Sequence, residues 1–235
     1  MDHPHTHHEH RDVSGGWLRP AVFGAMDGLV TNVSLISGVG GGGGSQHAIV
    51  LTGLAGLAAG AFSMAAGEYV SVSSQNELVQ AEVDKERYEL KHNAAAEQAE
   101  LVGMLCRRGV SAITARQAAA EISQQPEKAL AVHTLEELGL NTSELPSPVV
   151  AAGASLASFA VGACVPLFPY LLGLDALAVA LGLSALAAIA GGGLVARLTN
   201  RPFWRGAARQ LLLGIVAAGI TYLIGRAVGG LATGA

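Results

Sequence analysis

Two acidic side chains flank a long uncharged, mostly apolar stretch of this sequence. Asp27 directly precedes residues 28–67, which contain no formally charged side chain, and Glu68 directly follows them. A carboxylate at membrane depth costs at least about 2.5–3.5 kcal/mol, so it needs a partner, a proton or a water-filled path. On a helix, Asp27 shares one polar face with Thr31, Ser34 and Gly38. Met64 lies one helical turn before Glu68 on the next apolar segment, and by itself it is typical of ordinary packing.

A second group of candidate residues lies in the charged middle of the chain. The pairs at helical spacing are Glu86 with Glu89, Glu97 with Glu100, and His133 with Glu137. Residues three or four apart share one face of a helix, so converging faces would make a multi-carboxylate site for Mn²⁺ or Fe²⁺. Spacing alone slightly favours the alternative, a solvated acidic face paired with Lys85, Arg87 and Lys91.

Composition indicates how these two groups are positioned. Hydrophobic residues make up 51% of the chain and charged residues 14%, whereas soluble domains carry about 25% charged residues. Residues 76–145 hold 12 of the 18 acidic and 7 of the 14 basic side chains, an excess of five negative charges. Such a segment suits cations rather than nucleic acid. The sequence therefore predicts a membrane protein with one charged insert and no nucleic-acid partner.

The apolar segments predict five membrane-spanning helices. Val149–Leu174, Ala176–Ala196 and Gly206–Gly225 are each long enough for a bilayer crossing, which takes about 20 residues. Residues 28–67 are too long for one span, and the glycine run inside them indicates a turn between two helices. The predicted fold class is all-α, a polytopic membrane protein with five transmembrane helices and a cytoplasmic helical metal-binding insert between the second and third.

The distribution of arginines predicts the orientation. Basic residues flank the first span and the connection between the last two, namely Arg11, Arg19, Arg197, Arg201, Arg205 and Arg209. By the positive-inside rule the N-terminus and the insert are cytoplasmic. The predicted division is a disordered histidine-rich tail at 1–19, two spans at 20–75, the insert at 76–145 and three spans at 146–235.

Local signals predict where the helices of the insert begin and end. No breaker separates the second span from the insert, which predicts one long helix. Gly109 and Gly139 are expected to end helices, and the pattern Thr114-x-x-Gln117 predicts a capping box at a helix start.

Several strings resemble the vacuolar iron transporter family. They are DGLVTNVSLISGV, GAFSMAAGEYVSVSSQNE and EVDKERYEL, and later PSPVVAAGASLASFAVGACVPLFPY and RQLLLGIVAAGITYLIGRAVGG. The resemblance covers about residues 17–230. It implies five membrane helices, a cytoplasmic metal-binding domain after the second, and a homodimer with the pathway between its subunits. It also implies transport of Fe²⁺, often with Mn²⁺, out of the cytosol and in exchange for protons.

The resemblance also implies roles for individual residues. Asp27 and Met64 match the carboxylate and thioether that line the pathway. Glu86, Glu89, Glu97, Glu100 and Glu137 match the carboxylates of the metal-binding domain. At His133 the family often has methionine, and an imidazole there binds metal in a pH-dependent way and shifts metal preference.

The resulting functional prediction is a proton-coupled divalent-metal exporter, not an enzyme, with Fe²⁺ or Mn²⁺ as cargo and no other cofactor. The ion would pass Glu68, then Met64 and Asp27. One alternative is a membrane-anchored, ferritin-like metal-binding or oxidising protein, based on the single element Glu89-Leu-Lys-His92. Another is a multipass scaffold whose insert docks a protein. The expected membrane is the cell membrane in a bacterium and the vacuolar membrane in a eukaryote.

Overall fold

The computed structural model describes residues 16–139, 145–174 and 176–233, and all regular structure within them is helical. The helices are α1 Leu18–Gly41, α2 Gln46–His92, α3 Ala94–Arg107, α4 Ala112–Ser123, α5 Pro126–Leu138, α6 Pro148–Leu171, α7 Leu177–Leu198 and α8 Phe203–Thr233. Five of them, α1, α2, α6, α7 and α8, are long and apolar enough to cross a membrane. For the described residues, the prediction of an all-α chain with five helices able to span a membrane is confirmed.

Contacts divide the chain into two compact units. The first comprises Met1–Val70 and Ser147–Ala235, and the second comprises Ser71–Pro146. Helix α2 is continuous, as predicted, and contributes residues 46–70 to the first unit and 71–92 to the second. Most of the histidine-rich tail lies outside the described residues.

Helix α1 is the centre of the first unit and contacts α6, α7 and α8. Glycines allow this close approach, because a Cβ on Gly28 would overlap the carbonyl of Phe159 on α6, and one on Gly162 would overlap the carbonyl of Ala25. Small residues at such crossings are how membrane helices gain packing contacts without a hydrophobic driving force. The crossing of α1 and α6 therefore depends on glycine on both helices.

Replacing Gly162 by alanine is expected to destabilise the first unit by about 1–3 kcal/mol, the usual cost of overpacking. The added methyl group would meet the backbone of Ala25, which cannot move without shifting α1. Gly153→Ala on the same helix is the matched control, because nothing lies within 4 Å of its Cβ position. Thermal unfolding in detergent measures both variants, and equal midpoints would contradict this account of the crossing.

The polarity of α1 is explained by burial within the bundle. Asn32 is fully buried, and its side-chain amide donates a 2.6 Å hydrogen bond to the carbonyl oxygen of Ala163 on α6. A buried amide needs such a partner, since an unpaired one costs about 1–3 kcal/mol. Of the α1 span, 44% is buried inside the chain, against 6% for α8. Helix α1 is thus an inner helix, and α8 faces outward.

The second unit has its own small core. Leu101 and Met104 of α3 pack against Ala119 of α4, with flanking apolar side chains from α3, α4 and α5. Helix α5 begins with Pro126 and ends at Gly139, whose φ of 66° lies in the left-handed region that suits glycine. The predicted stop at Gly139 is therefore confirmed.

The predicted start of α4 at a Thr114 capping box is wrong. Helix α4 begins at Ala112, and the hydroxyl of Ser111 accepts the hydrogen bond from the backbone N–H of Thr114. Serine at this position satisfies an otherwise unpaired N–H, so the helix begins one turn earlier than the pattern indicated.

Candidate metal centre

Four metal-ligating side chains converge within the second unit. Glu86 extends from α2, Glu97 from α3, and His133 and Glu137 from α5, and one ligand atom of each lies within 4.8 Å of all the others. Nδ1 of His133 is 3.0 Å from Oε1 of Glu86, 3.6 Å from Oε2 of Glu97 and 3.7 Å from Oε1 of Glu137. Among the described residues, this is the one group of at least three His, Cys, Asp or Glu side chains that could hold a metal ion.

The local sequence explains why these side chains meet. Helix α2 ends at His92, and the backbone N–H of Asn93 donates to the carbonyl oxygen of Glu89, so α3 starts after a single residue. This turn places Glu97 in the first turn of α3, where the helix dipole favours a carboxylate. On α5, His133 and Glu137 are one turn apart and share a face.

The centre of the cluster is buried and incompletely hydrogen-bonded. His133 has no solvent exposure, and both of its ring nitrogens and Oε1 of Glu86 lack a hydrogen bond. The 3.0 Å approach of His133 to Glu86 therefore does not have hydrogen-bond geometry. Buried polar atoms are normally paired, so the unpaired Nδ1 of His133 and Oε1 of Glu86, which lie 3.0 Å apart, fit a cation-binding site.

A small polar cavity extends the cluster. It has a volume of about 190 Å³ and is lined by Glu82, Lys85, Glu86, Glu89, Glu97, Glu100, Thr134 and Glu137. All four paired glutamates of α2 and α3 thus line one space. Lys85 pairs with Glu82, and Arg87 with Asp84. Within the described residues neither base pairs with a glutamate of the predicted site, which favours the converging site over a salt-bridged acidic surface.

Sequence reasoning missed Glu82, Lys85 and Thr134 as lining residues. Glu82 and Lys85 could have been found from helical spacing, because each lies four residues before a predicted ligand on α2. Thr134 is buried, and its hydroxyl donates to the carbonyl oxygen of Leu130. No pattern in the sequence distinguishes it from a core residue.

Burial and like charges raise the pKa values of the central carboxyl groups. Burial is the main reason that the pKa of Glu86 rises to about 7, and the charges of Glu137, Glu97, Glu100 and Glu89 add to it. The pKa of Glu97 is also raised, first by burial, with His133 acting in the opposite direction. A divalent cation at the centre would neutralise this repulsion, so the site favours either bound metal or bound protons.

Replacing Glu86 by glutamine is expected to stabilise the metal-free second unit at pH 8 by on the order of 2 kcal/mol. The pKa of Glu86 is about 7 in the folded state, and its ordinary value is 4.5. Between pH 4.5 and 7 the unfolded chain therefore binds fewer protons than the folded chain. Stability therefore falls as pH rises from about 4.5 to 7 and stays low above it. Glutamine removes that loss.

Hydrogen exchange of α3 and α5 in the full-length, metal-free chain measures this effect. Slower exchange than wild type at pH 8, with no difference at pH 4.5, is the expected result. Glu127→Gln on α5 is the control, because Glu127 is exposed and outside the polar cavity. Equal exchange of wild type and Glu86→Gln at pH 8 would contradict the raised pKa.

The ferritin-like alternative gains no support from the position of His92. Its ring stacks on that of Tyr88 at 4.0 Å, and its Nδ1 lies 2.8 Å from the carbonyl oxygen of Tyr88. His92 does not line the polar cavity that contains Glu89. The Glu-x-x-His element therefore contributes only its glutamate to the site.

The three candidate pathway residues lie in the first unit and form no ligand cluster in the described single chain. Asp27 on α1 is half-buried and accepts a hydrogen bond from the hydroxyl of Thr31 one turn later. Met64 on α2 is partly buried and packs against the core formed by Ala61, Phe159 and Ala163. Glu68, one turn beyond Met64, is partly exposed.

Comparisons with known proteins identify the relatives of the chain. A family model described as the VIT family matches residues 18–226. A vacuolar iron transporter of Acanthamoeba castellanii is 38% identical over 161 residues, which cover 68% of this chain and 58% of that protein. Vacuolar iron transporter 1 of Oryza sativa subsp. japonica is 28% identical over 231 residues, covering 96% of this chain and 91% of that protein. Vacuolar iron transporter homolog 1 of Arabidopsis thaliana is 32% identical over 219 residues, covering 91% and 84%.

Proposed function

This chain belongs to the VIT family of integral membrane proteins, and from that premise we propose that it exports Fe²⁺ or Mn²⁺ from the cytosol in exchange for protons. One observation carries the proposal. A cluster of three carboxylates and an imidazole, with Glu97 and His133 buried at its centre, occurs in a chain with five helices able to cross a membrane. The names of the relatives supply iron as the first metal to test.

The second unit collects the metal. Carboxylate oxygens from Glu86, Glu97 and Glu137 suit hard and borderline divalent cations, and the His133 imidazole adds a nitrogen ligand. Glu89 and Glu100 line the same cavity and keep its potential negative, which raises the local concentration of cations. Fe²⁺ and Mn²⁺ fit this mixed set better than Mg²⁺, which binds few protein ligands and keeps several waters.

The orientation follows from the distribution of positive charge. Arg19 precedes the first span, and four arginines surround the connection between α7 and α8. Positive charge is retained on the cytoplasmic side, which supports a cytosolic location for the N-terminus and for residues 71–146. The metal cluster then faces the compartment from which metal is removed.

The transported ion passes Glu68, then Met64 and Asp27, at the interface of a homodimer. Asp27 supports this path because a carboxylate within a membrane helix is costly unless it serves an ion or a proton. A thioether from Met64 is a soft ligand, acceptable to Fe²⁺ and less so to Mg²⁺ or Ca²⁺. A second protomer would supply a second Asp27 and a second Met64, which completes a ligand set that one chain lacks.

Protons exchange for metal at the same carboxylates. Metal binding requires deprotonated ligands, so it releases protons, and metal release allows the ligands to regain them. With a pKa of about 7 for Glu86, metal and proton compete near neutral pH at the collecting site. At Asp27 the same competition would couple the two movements across the membrane.

Metal uptake by proteoliposomes tests the proposal against an anchored metal-binding protein. The full-length chain is reconstituted, and entry of Fe²⁺ and Mn²⁺ is followed together with the oxidation state of the iron. Saturable entry of unoxidised Fe²⁺, absent from protein-free vesicles, is the expected result. Tight metal binding with no entry would favour the anchored metal-binding protein over a transporter. Oxidation of Fe²⁺ by the protein would favour the oxidising alternative.

A further inference from the structure

The turn between α7 and α8 concentrates positive charge at a membrane surface. It is flanked by Arg197, Arg201, Arg205 and Arg209, four of the six basic residues in the described part of the first unit, and all four are exposed. No carboxylate in the part of the chain that the structure describes forms an ion pair with any of them. Because α7 and α8 are both candidate spans, the turn lies at a bilayer surface whichever way the chain is oriented.

The turn is held in a defined geometry. Asn200 has a φ of 53°, and the backbone N–H of Arg201 donates a 2.7 Å hydrogen bond to the carbonyl oxygen of Ala196. The Arg205 guanidinium lies 5.3 Å from the ring centre of Trp204, which orders that side chain. Trp204 is 64% exposed, as expected for a ring at the level of lipid headgroups.

An apolar cavity lies farther along α8 within the same unit. It has a volume of about 560 Å³ between α1, α7 and α8, with Val33, Leu181 and Leu211 among its lining residues. Leu211 lies two helical turns after Trp204 on the same face of α8, about 10 Å along the axis. Trp204 beside the charged turn and Leu211 in the cavity lining therefore follow one another on one face of α8.

Glycines keep this cavity open. Gly182, Gly214 and Gly219 line it, and for each of them nothing lies within 4 Å of where a Cβ would be. Glycine in a helix interior is destabilising relative to alanine, and here no close helix contact requires it. This differs from Gly192 and Gly206, where a Cβ would overlap the facing backbone. What the three glycines provide is empty volume.

We propose that the α7–α8 turn and this cavity bind one anionic phospholipid of the surrounding leaflet. The guanidinium groups of Arg201 and Arg205 bind the phosphate, since arginine binds phosphate oxygens in a bidentate manner. One acyl chain occupies the apolar cavity. Free phosphate has the same headgroup chemistry and could bind the arginines, but it has no apolar part to occupy the cavity. A lipid therefore fits the whole surface better.

This inference rests on the membrane location of α7 and α8 and not on metal transport. If the chain binds the lipid but transports no metal, the phospholipid site stands and the proposed function fails. If the chain transports metal but shows no lipid preference, the phospholipid site is overturned and the proposed function stands.

Native mass spectrometry of the delipidated, full-length chain tests the proposal. The probes are phosphatidylglycerol and phosphatidylcholine with identical acyl chains, and sodium phosphate as competitor. Phosphatidylglycerol is expected to bind about tenfold more tightly than phosphatidylcholine, because both carry the phosphate but the arginines repel the choline ammonium of phosphatidylcholine. Arg201→Gln with Arg205→Gln is expected to remove that preference. Gly214→Leu, which fills the cavity, is expected to weaken binding of both lipids.

The controls keep each part of the proposal separate. Arg226→Gln removes another exposed arginine of α8 outside the turn, and Gly153→Leu adds the same side chain at an exposed position of α6 outside the cavity. Both are expected to bind as wild type does. Arg201→Lys with Arg205→Lys keeps the charge but loses the bidentate geometry, and it is expected to weaken binding of both lipids while keeping most of the preference. Equal binding of the two lipids by wild type, displacement of lipid by an equimolar amount of sodium phosphate, or unchanged binding by Gly214→Leu would each overturn the phospholipid site.

Discussion

Replacing Asp27 by alanine is expected to lower Fe²⁺ and Mn²⁺ flux by about 100-fold. A divalent ion in the membrane loses water, and without the carboxylate part of its charge is uncompensated. We take the cost from that of one charged side chain in a membrane helix, about 3 kcal/mol, which corresponds to about 100-fold in rate. Asp27 is the only acidic side chain of α1, and its described contact is with the Thr31 hydroxyl on the same helix. No neighbouring carboxylate of α1 can replace it.

Three comparisons make this result interpretable. Asp27→Glu keeps a carboxylate and is expected to retain part of the flux, whereas Asp27→Asn keeps the size and is expected to lose it. Metal binding by the second unit should be unchanged in all three variants, because Asp27 belongs to the first unit. Ser184→Ala on α7 controls for loss of a buried polar group, since its hydroxyl donates to the carbonyl oxygen of Ala180 on the same helix. Full flux in Asp27→Ala would remove Asp27 from the pathway.

The double substitution Glu86→Ala with Glu97→Ala is expected to weaken metal binding by at least about 100-fold. Loss of a supporting residue around a metal ligand already costs 10- to 100-fold, and here two of four converging ligands are removed. Flux should fall steeply at low metal concentration and recover at saturating metal. Flux depends on metal concentration in this way because the second unit supplies ions and the membrane helices move them.

Calorimetric titration of the full-length chain with Mn²⁺, followed by flux at several metal concentrations, measures both effects. Glu121→Ala with Glu127→Ala is the matched control, because these two exposed acids on α4 and α5 lie outside the polar cavity. The control removes the same net charge and is expected to bind as wild type does. Equal affinities for the two double variants would mean that negative charge, and not the Glu86 cluster, attracts the metal.

The arrangement of helices was predictable where the bilayer or the backbone dictates it. Span length follows from bilayer thickness, so α6, α7 and α8 could be identified from apolar runs alone. The glycine run predicted the turn at Gly43, whose φ of 77° suits glycine. The uninterrupted α2 followed from the absence of a breaker before His92.

Tertiary contacts were less accessible from the sequence. Helical spacing placed Glu86 and Glu89 on one face, but only the packing of α2, α3 and α5 shows that this face meets His133. Spacing alone had slightly favoured a surface paired with Lys85 and Arg87, and those bases pair with other acids. The start of α4 was misplaced because the prediction followed the capping-box pattern at Thr114, whereas Ser111, which is a better cap than threonine, precedes the helix by one residue.

The polar stripes of the first two spans were only partly interpretable. Gly56 and Gly60, on the same face of α2 as Met64, pack against Leu35 and Phe159. Much of that face is therefore a helix contact, and Met64 itself contacts an apolar core. Its role in the pathway remains a prediction, because methionine serves both in cores and as a ligand.

Metal–proton exchange is the central claim, and simultaneous recording of both ions tests it most directly. Proteoliposomes with an acidic lumen and an internal pH indicator receive Mn²⁺ outside, and metal entry and luminal pH are followed together. The account predicts that Mn²⁺ entry accelerates with the size of the pH gradient and that the lumen becomes alkaline in fixed proportion to the metal that enters. Mn²⁺ entry at the same rate without a gradient, and with no change in luminal pH, would contradict it.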